Sequence, residues 1–264
     1  MSKVDINFVI NGRLLSQEEI RAVEAVRTKK VIKELIKRGE TITYNGNILT
    51  EEEVYNIDFE EAKEALAETK EKIGNERMLD IYKKDIEKSN EMWREIAENS
   101  PAMENLQPCI ISAEVRGLAI EELMKFTKAV YKDGKISMIS KFNPENYLFV
   151  NDQGAQIILK RFGMYREPSF WKIEFYEDGF SPAEVDDDTE TIMHASIKLA
   201  SDGTDTKIVV MHQFKPAEDG FKMKLGVFLP QEAPAAMIDG RKWQFAVEYN
   251  NIIQYAAEAA GKNV

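Results

Sequence analysis

Residues 191–229 read TIMHASIKLASDGTDTKIVVMHQFKPAEDGFKMKLGVFL. Three strand-like runs, TIMHASIKL, KIVVMHQF and FKMKLGVFL, are separated by segments that hold Asp202-Gly203 and Asp219-Gly220. Asp-Gly between apolar runs is a hairpin signal, because both residues accept the positive φ that tight turns between twisted strands require. The segment therefore predicts antiparallel strands joined by short turns. Upstream, CIISAEV, KISMIS, NYLFV, AQIILKRFGM and SFWKIEFY also read as strands, and Asp178-Gly179 marks a further turn. Helical spacing appears near Ile120–Tyr131 and again over Arg241–Ala260 at the end of the chain.

The N-terminal part has a different texture. Residues 11–20, NGRLLSQEEI, recur as residues 45–54, NGNILTEEEV. Each copy follows a strand-like run, INFVI or TITY. Each reads as strand, Asn-Gly turn, strand and helix, with Ser16/Glu19 and Thr50/Glu53 at the spacing of a capping box. The first helix is expected over about Glu18–Arg38, ending at Gly39. A less regular second helix, FEEAKEALAETKEKI, and a third over Glu76–Glu98 follow. The repeat offset matches a helical-repeat length, but two copies that each begin with a hairpin do not make a solenoid. Pairing of the two hairpins into one small sheet would relieve their marginal stability.

The Pro-bearing stretch NSPAMENLQP (99–108) is the natural linker. The expected class is α+β. An N-terminal helical domain with two β-hairpin–helix units spans 1–106, and an antiparallel sheet packed by a long C-terminal helix spans 107–264. In element order the second part resembles the helix-grip arrangement of START-like ligand-binding proteins, although no residue motif accompanies the resemblance.

Bulk composition narrows the function. The chain has 264 residues, a net charge of −11 and one cysteine. The acidic excess is shared by both halves, so nucleic acid is not an expected partner. No apolar run is long enough to span a bilayer, and the N-terminus has no signal-peptide pattern, so a cytoplasmic protein without a membrane partner is expected. One cysteine excludes an intramolecular disulfide, and its setting, PCIISAEV, reads as a buried strand. Walker, GxGxxG, HExxH, GxSxG and CxxC motifs are absent from the sequence. Neither a cofactor nor a metal is expected.

The candidate residues are few. Strand parity puts His194 with Ser196 and Lys198, and His212 with Val210 and Phe214. The two histidines should thus face opposite sides of the sheet and share no site. His194 reads as a surface residue, and His212 faces the core or a cavity. EVDDDTE (184–190) lacks the alternating ligands and closing glutamate of a calcium loop and reads as solvated. The basic run on the first helix, Arg27, Lys29, Lys30, Lys33, Lys37 and Arg38, is expected to lie against the acidic segment 51–64.

The terminal helix has a wide apolar face opposite a polar stripe that includes Gln244, Glu248 and Asn251, which sets Glu248 apart from His212. Trp171, Ile173 and Phe175 share a parity and can face that helix. The leading expectation is non-enzymatic binding of an apolar small molecule between sheet and C-terminal helix, lined by Trp171, Phe175, His212, Trp243 and Tyr249. The second is an interaction or assembly protein, such as a phage or mobile-element accessory factor, that meets a protein partner or its own copy through the N-terminal units. The third is a hydrolase-like enzyme working through carboxylates or tyrosines.

Overall fold

In the computed structural model, residues 3–100, 103–177 and 180–263 are described. Pro101 and Ala102 of the expected linker, and the expected turn Asp178-Gly179, lie outside them.

Both Asn-Gly turns form as their chemistry requires. Asn11 and Gly12 hold φ of 51° and 76°, and Asn45 and Gly46 hold 49° and 77°, the left-handed pair of a type I′ hairpin. They join β1 (Asp5–Ile10) to β2 (Arg13–Leu14) and β3 (Thr43–Tyr44) to β4 (Asn47–Ile48). Each hairpin feeds a helix, α1 (Gln17–Lys37) or the short α2 (Glu51–Asn56), and both capping boxes are complete. The Ser16 hydroxyl accepts from the Glu19 amide at 3.1 Å, and the Ser16 amide donates to the Glu19 carboxylate at 2.9 Å.

The hairpins do not pair with each other. β1 joins β5 (Gln107–Arg116), so the first hairpin extends the edge of the large sheet. The second remains a two-stranded ribbon on α3 (Phe59–Asn99), where the Thr43 amide donates to the Thr69 hydroxyl at 2.8 Å. α3 merges the two expected helices around Gly74, which holds φ 73° and breaks the helical path.

From β5 onward the chain follows strand, two helices, six antiparallel strands and a long helix. The elements are α4 (Ile120–Asp133), α5 (Ile136–Phe142), β6 (Asn146–Asp152), β7 (Ala155–Lys160), β8 (Ser169–Tyr176), β9 (Thr191–Leu199), β10 (Asp205–Ala217), β11 (Gly220–Leu229) and α6 (Ala235–Ala259). The sheet order is β2-β1-β5-β11-β10-β9-β8-β7-β6, with every neighbour antiparallel. This is the α+β class and the element order read from the sequence. One run was misread: KISMIS supplies α5, because Ile136, Ile139 and Phe142 are buried at helical rather than alternating spacing. Among the described residues no helix is long and apolar enough to cross a membrane.

The main core joins residues from both sides of position 106, including Phe8, Ile20 and Trp93 with Val115, Phe221 and Phe245. A second cluster sets Val31 and Leu35 of α1 and Met78 and Tyr82 of α3 against Tyr147, Leu148 and Leu159 at the β6–β7 edge. The far end of α3 is tied to the sheet. The Trp93 indole donates to the Ser169 hydroxyl at 2.9 Å, and the Lys207 ammonium meets the Ala97 and Ser100 carbonyls at 2.6 and 3.1 Å. Sheet and core thus run continuously from the N-terminal segment into the C-terminal one.

One backbone approach fixes the height of α6. A tight turn after β7, Phe162–Met164, lies against the start of α6. A Cβ on Gly240 would stand 1.8 Å from the Gly163 carbonyl oxygen, and one on Gly163 would stand 2.2 Å from the Met237 oxygen. Gly240→Ala removes a helix-interior glycine, which by helix propensity alone would stabilise by about 1 kcal/mol. Backbone cannot give way as a side-chain tip can, so the expected result is a net loss of about 1–3 kcal/mol in urea unfolding. Unchanged or increased stability would show that this contact does not set the packing.

Candidate functional site

A cavity of about 710 Å³ lies between the sheet and α6. Its walls follow from strand parity. Trp171, Ile173 and Phe175 alternate along β8, and Ala195, Val210 and Val227 follow across β9, β10 and β11. The register places Val210 opposite both Ala195 and Val227, so one face of the sheet presents a continuous apolar surface. Val210 is half-buried in an interior strand whose neighbouring residue Val209 is buried, because its side chain borders the cavity. α4 and α6 close the other side through Leu123, Tyr131, Phe245 and Tyr249. Exposed Lys132, Asn151 and Phe175 mark the rim where the cavity meets solvent.

The inner end is polar. Glu248 of α6 accepts from Arg241 at 2.9 Å and from Lys160 of β7 at 3.4 Å to each carboxylate oxygen. All three side chains are buried and border the cavity. Burial alone would raise the Glu248 carboxyl, but Lys160 and Arg241 bring it down to about 2. Burial brings the Lys160 ammonium down to about 8 against the pull of Glu248. The Arg241 guanidinium also sits 3.8 Å from the centre of the Phe245 ring, an arrangement that suits a weakly hydrated cation.

His212 stands beside this group. Its Nδ1 accepts from the Gly226 amide at 3.2 Å, which puts the proton of the neutral imidazole on Nε2. The ring meets Phe245 and Tyr249 edge-on, at 5.4 and 5.8 Å between centres. Burial, and then the nearby Arg241 charge, hold its pKa down to about 4. Burial also pushes the Tyr131 and Tyr249 phenols up, so both stay protonated. The Trp171 indole Nε1 is buried without a hydrogen-bond partner among the described residues.

Of the five residues read from the sequence as a lining, Trp171, Phe175, His212 and Tyr249 border the cavity and Trp243 does not. Trp243 points toward the first hairpin, where the Arg13 guanidinium lies 5.9 Å from its ring centre. His194 pairs with Met211 and His212 with Met193 across β9 and β10, so the two histidines occupy opposite faces, as parity requires. His194 stacks on Tyr176 with ring centres 5.6 Å apart. Cys109 is buried, and burial raises its thiol to about 11.

Sequence reasoning missed the polar end of the cavity. Glu248 is not on a solvated stripe. It faces the buried inner end, together with Arg241 seven residues earlier on the same helix face. On β7, Lys160 shares parity with Ile158, and a lysine in an apolar register was the one signal available. The expected match between α1 and the acidic segment holds only in part: α1 packs on α3 and Arg21 pairs with Glu60, but the basic run from Arg27 to Arg38 finds other partners. Arg27 pairs with Glu145, Arg38 pairs with Asp85 and Glu34, and Glu51, Glu52 and Glu53 make no ion pair with α1 among the described residues. The 184–190 loop is tethered by Lys215 to Asp188 at 3.0 Å and by Lys224 to Asp186. Among the described residues no cluster of His, Cys, Asp and Glu is arranged to hold a metal.

No protein-family model matches the chain, and a search of curated proteins finds no match.

His212 has a folded-state pKa below its ordinary value of 6.5. The folded protein therefore takes up a proton less readily than the unfolded chain. Its contribution is fully present above pH 6.5 and is lost as pH falls toward 4. Between pH 6.5 and 5, above most carboxylate titration, unfolding free energy should fall by roughly 2 kcal/mol through this group. His212→Asn keeps an acceptor for the Gly226 amide without the titration, and should flatten that slope in urea unfolding at the two pH values. An equally steep slope in the variant would assign the acid sensitivity to another group.

Proposed function

We propose that the protein binds an apolar small molecule, without transforming it, in the cavity between the sheet and α6. The observation that carries the reading is the cavity itself. Its size falls in the range of ligand sites, roughly 300–1,000 Å³, and its apolar walls are interrupted by a small polar group at one end. Protein interiors close-pack to the density of organic crystals, and voids much larger than a water molecule are few. Keeping this one forgoes dispersion contacts along Trp171, Ile173, Val210 and Phe245, and an apolar guest restores them.

Native against denaturing mass spectrometry of freshly purified protein tests the reading. The expected result is an added small-molecule mass that disappears on denaturation. Val210→Phe fills the space beside Ala195 and Val227 while keeping the strand apolar. It should remove the added mass and shift the melting temperature by only a few degrees, the scale of a core change of about 1 kcal/mol. A bare wild-type chain that also takes up no apolar probe would end the proposal.

A second reading, an assembly surface on the N-terminal segment, draws on four large apolar side chains exposed there. Leu14, Val26, Ile48 and Tyr55 are 58–75% accessible. Mass that rises with protein concentration, and returns to monomer when Ile48 and Tyr55 are replaced by serine, is its expected signature.

A further inference from the structure

The charge of the cavity is opposite to that of the chain. The protein carries a net −11, yet the cavity is bordered by four cationic side chains, Lys128, Lys132, Lys160 and Arg241, and by a single carboxylate, Glu248. Lys128 and Lys132 are exposed on α4, at the rim. Lys160 and Arg241 are buried at the inner end and share Glu248 as their only carboxylate within ion-pair distance among the described residues. One carboxylate cannot neutralise two cations, so the buried end keeps an excess positive charge.

Hydrogen bonding shows the same shortage of acceptors. Lys160 has three donors, and its two contacts to Glu248 are long, at 3.4 Å. Arg241 gives one bond to Glu248, and its Nε has no partner among the described residues. A buried charge excess with unspent donors is costly unless an anion completes it.

Resting on the apolar-ligand reading above, we propose that the ligand is an amphipathic monocarboxylate. Its carboxylate sits on Lys160 and Arg241, and its apolar body runs along the sheet toward the rim at Lys132. Strand geometry gives the reach: from Lys160 at the inner end to Ala155, next to exposed Gly154 at the rim, β7 covers about 17 Å. That length suits an extended chain better than a compact ring. A carboxylate at Arg241 gains charge-assisted hydrogen bonds in a site shielded from water, where such bonds are strongest. The lysines at the rim attract the same anion from solution.

The test compares dodecanoate with 1-dodecanol, equal in chain length and different in head group, by calorimetry on protein stripped of bound lipid. Dodecanoate should bind at least about tenfold tighter, the order of one charge-assisted contact. Lys160→Met leaves Arg241 and Glu248 as a neutral pair and should bring the ratio of the two affinities close to one. Glu248→Gln leaves both cations uncompensated and should widen the ratio. These opposite directions separate a charge effect from loss of fold, which would weaken both ligands in both variants. Val210→Phe should lower both affinities together. Equal affinities in the wild type, or a preference for the alcohol, would overturn the carboxylate assignment and leave apolar binding standing. Binding of neither probe would overturn both.

Discussion

A helix of 25 residues buried on nearly every side has to satisfy its polar groups inside the protein. α6 is that helix, and the rest of the molecule is arranged around its needs. Gln244 donates to Glu145 at 2.7 Å and to the Arg161 carbonyl at 2.6 Å, and accepts from the Gly163 amide at 2.8 Å. Asn251 donates to Glu24 of α1 at 2.8 Å and accepts from Lys63 of α3 at 2.9 Å. These partners come from four separate stretches of chain. The polar stripe of α6 is therefore the seam along which the N-terminal helices meet the sheet domain.

The seam continues as a set of buried ion pairs. Glu145, fully buried, meets Arg27 of α1 and lies 3.6 Å from Arg161. Arg161 in turn holds Glu34 of α1 at 2.9 Å and donates to the Tyr147 hydroxyl at 2.7 Å. Glu24 and Lys63 pair at 2.8 Å, and burial raises the Glu24 carboxyl against the pull of Lys63. Such pairs offer little net stability over apolar substitutes, yet breaking one strands a charge. They act as registration, since sliding α1 or α3 along α6 would part these charges from their partners. The cavity survives because α6 is held by these clamps and by the Gly163–Gly240 contact rather than by closing on the sheet.

Compensation along the seam contrasts with the inner end of the cavity, and even the buried Lys70, which has no carboxylate at ion-pair distance among the described residues, is held by the Ser140 hydroxyl and the Pro144 and Asn146 carbonyls. Glu24, Glu34 and Glu145 each have cationic partners supplied by another element. Lys160 and Arg241 lie on the cavity side of α6, where no element of the chain brings a second carboxylate to them among the described residues.

The sequence by itself determined most of what depends on a few consecutive residues, KISMIS excepted. The Asn-Gly turns, the Ser16/Glu19 and Thr50/Glu53 boxes, the α+β class and the opposite facing of His194 and His212 are all local. They follow from dihedral preference, capping distance and the two-residue period of a strand. Tertiary structure alone decided the destination of the first hairpin, the burial of Glu248, the turning of Trp243 away from the cavity and the fate of the basic run on α1. Polarity in a helix pattern says which face differs, and not whether water or another helix will cover it. Gln244, Glu248 and Asn251 read only as a polar stripe because, Arg241 apart, the groups that satisfy them, Glu24, Lys63, Glu145 and Lys160, lie about 90 to 230 positions away in sequence. No local rule reaches that far.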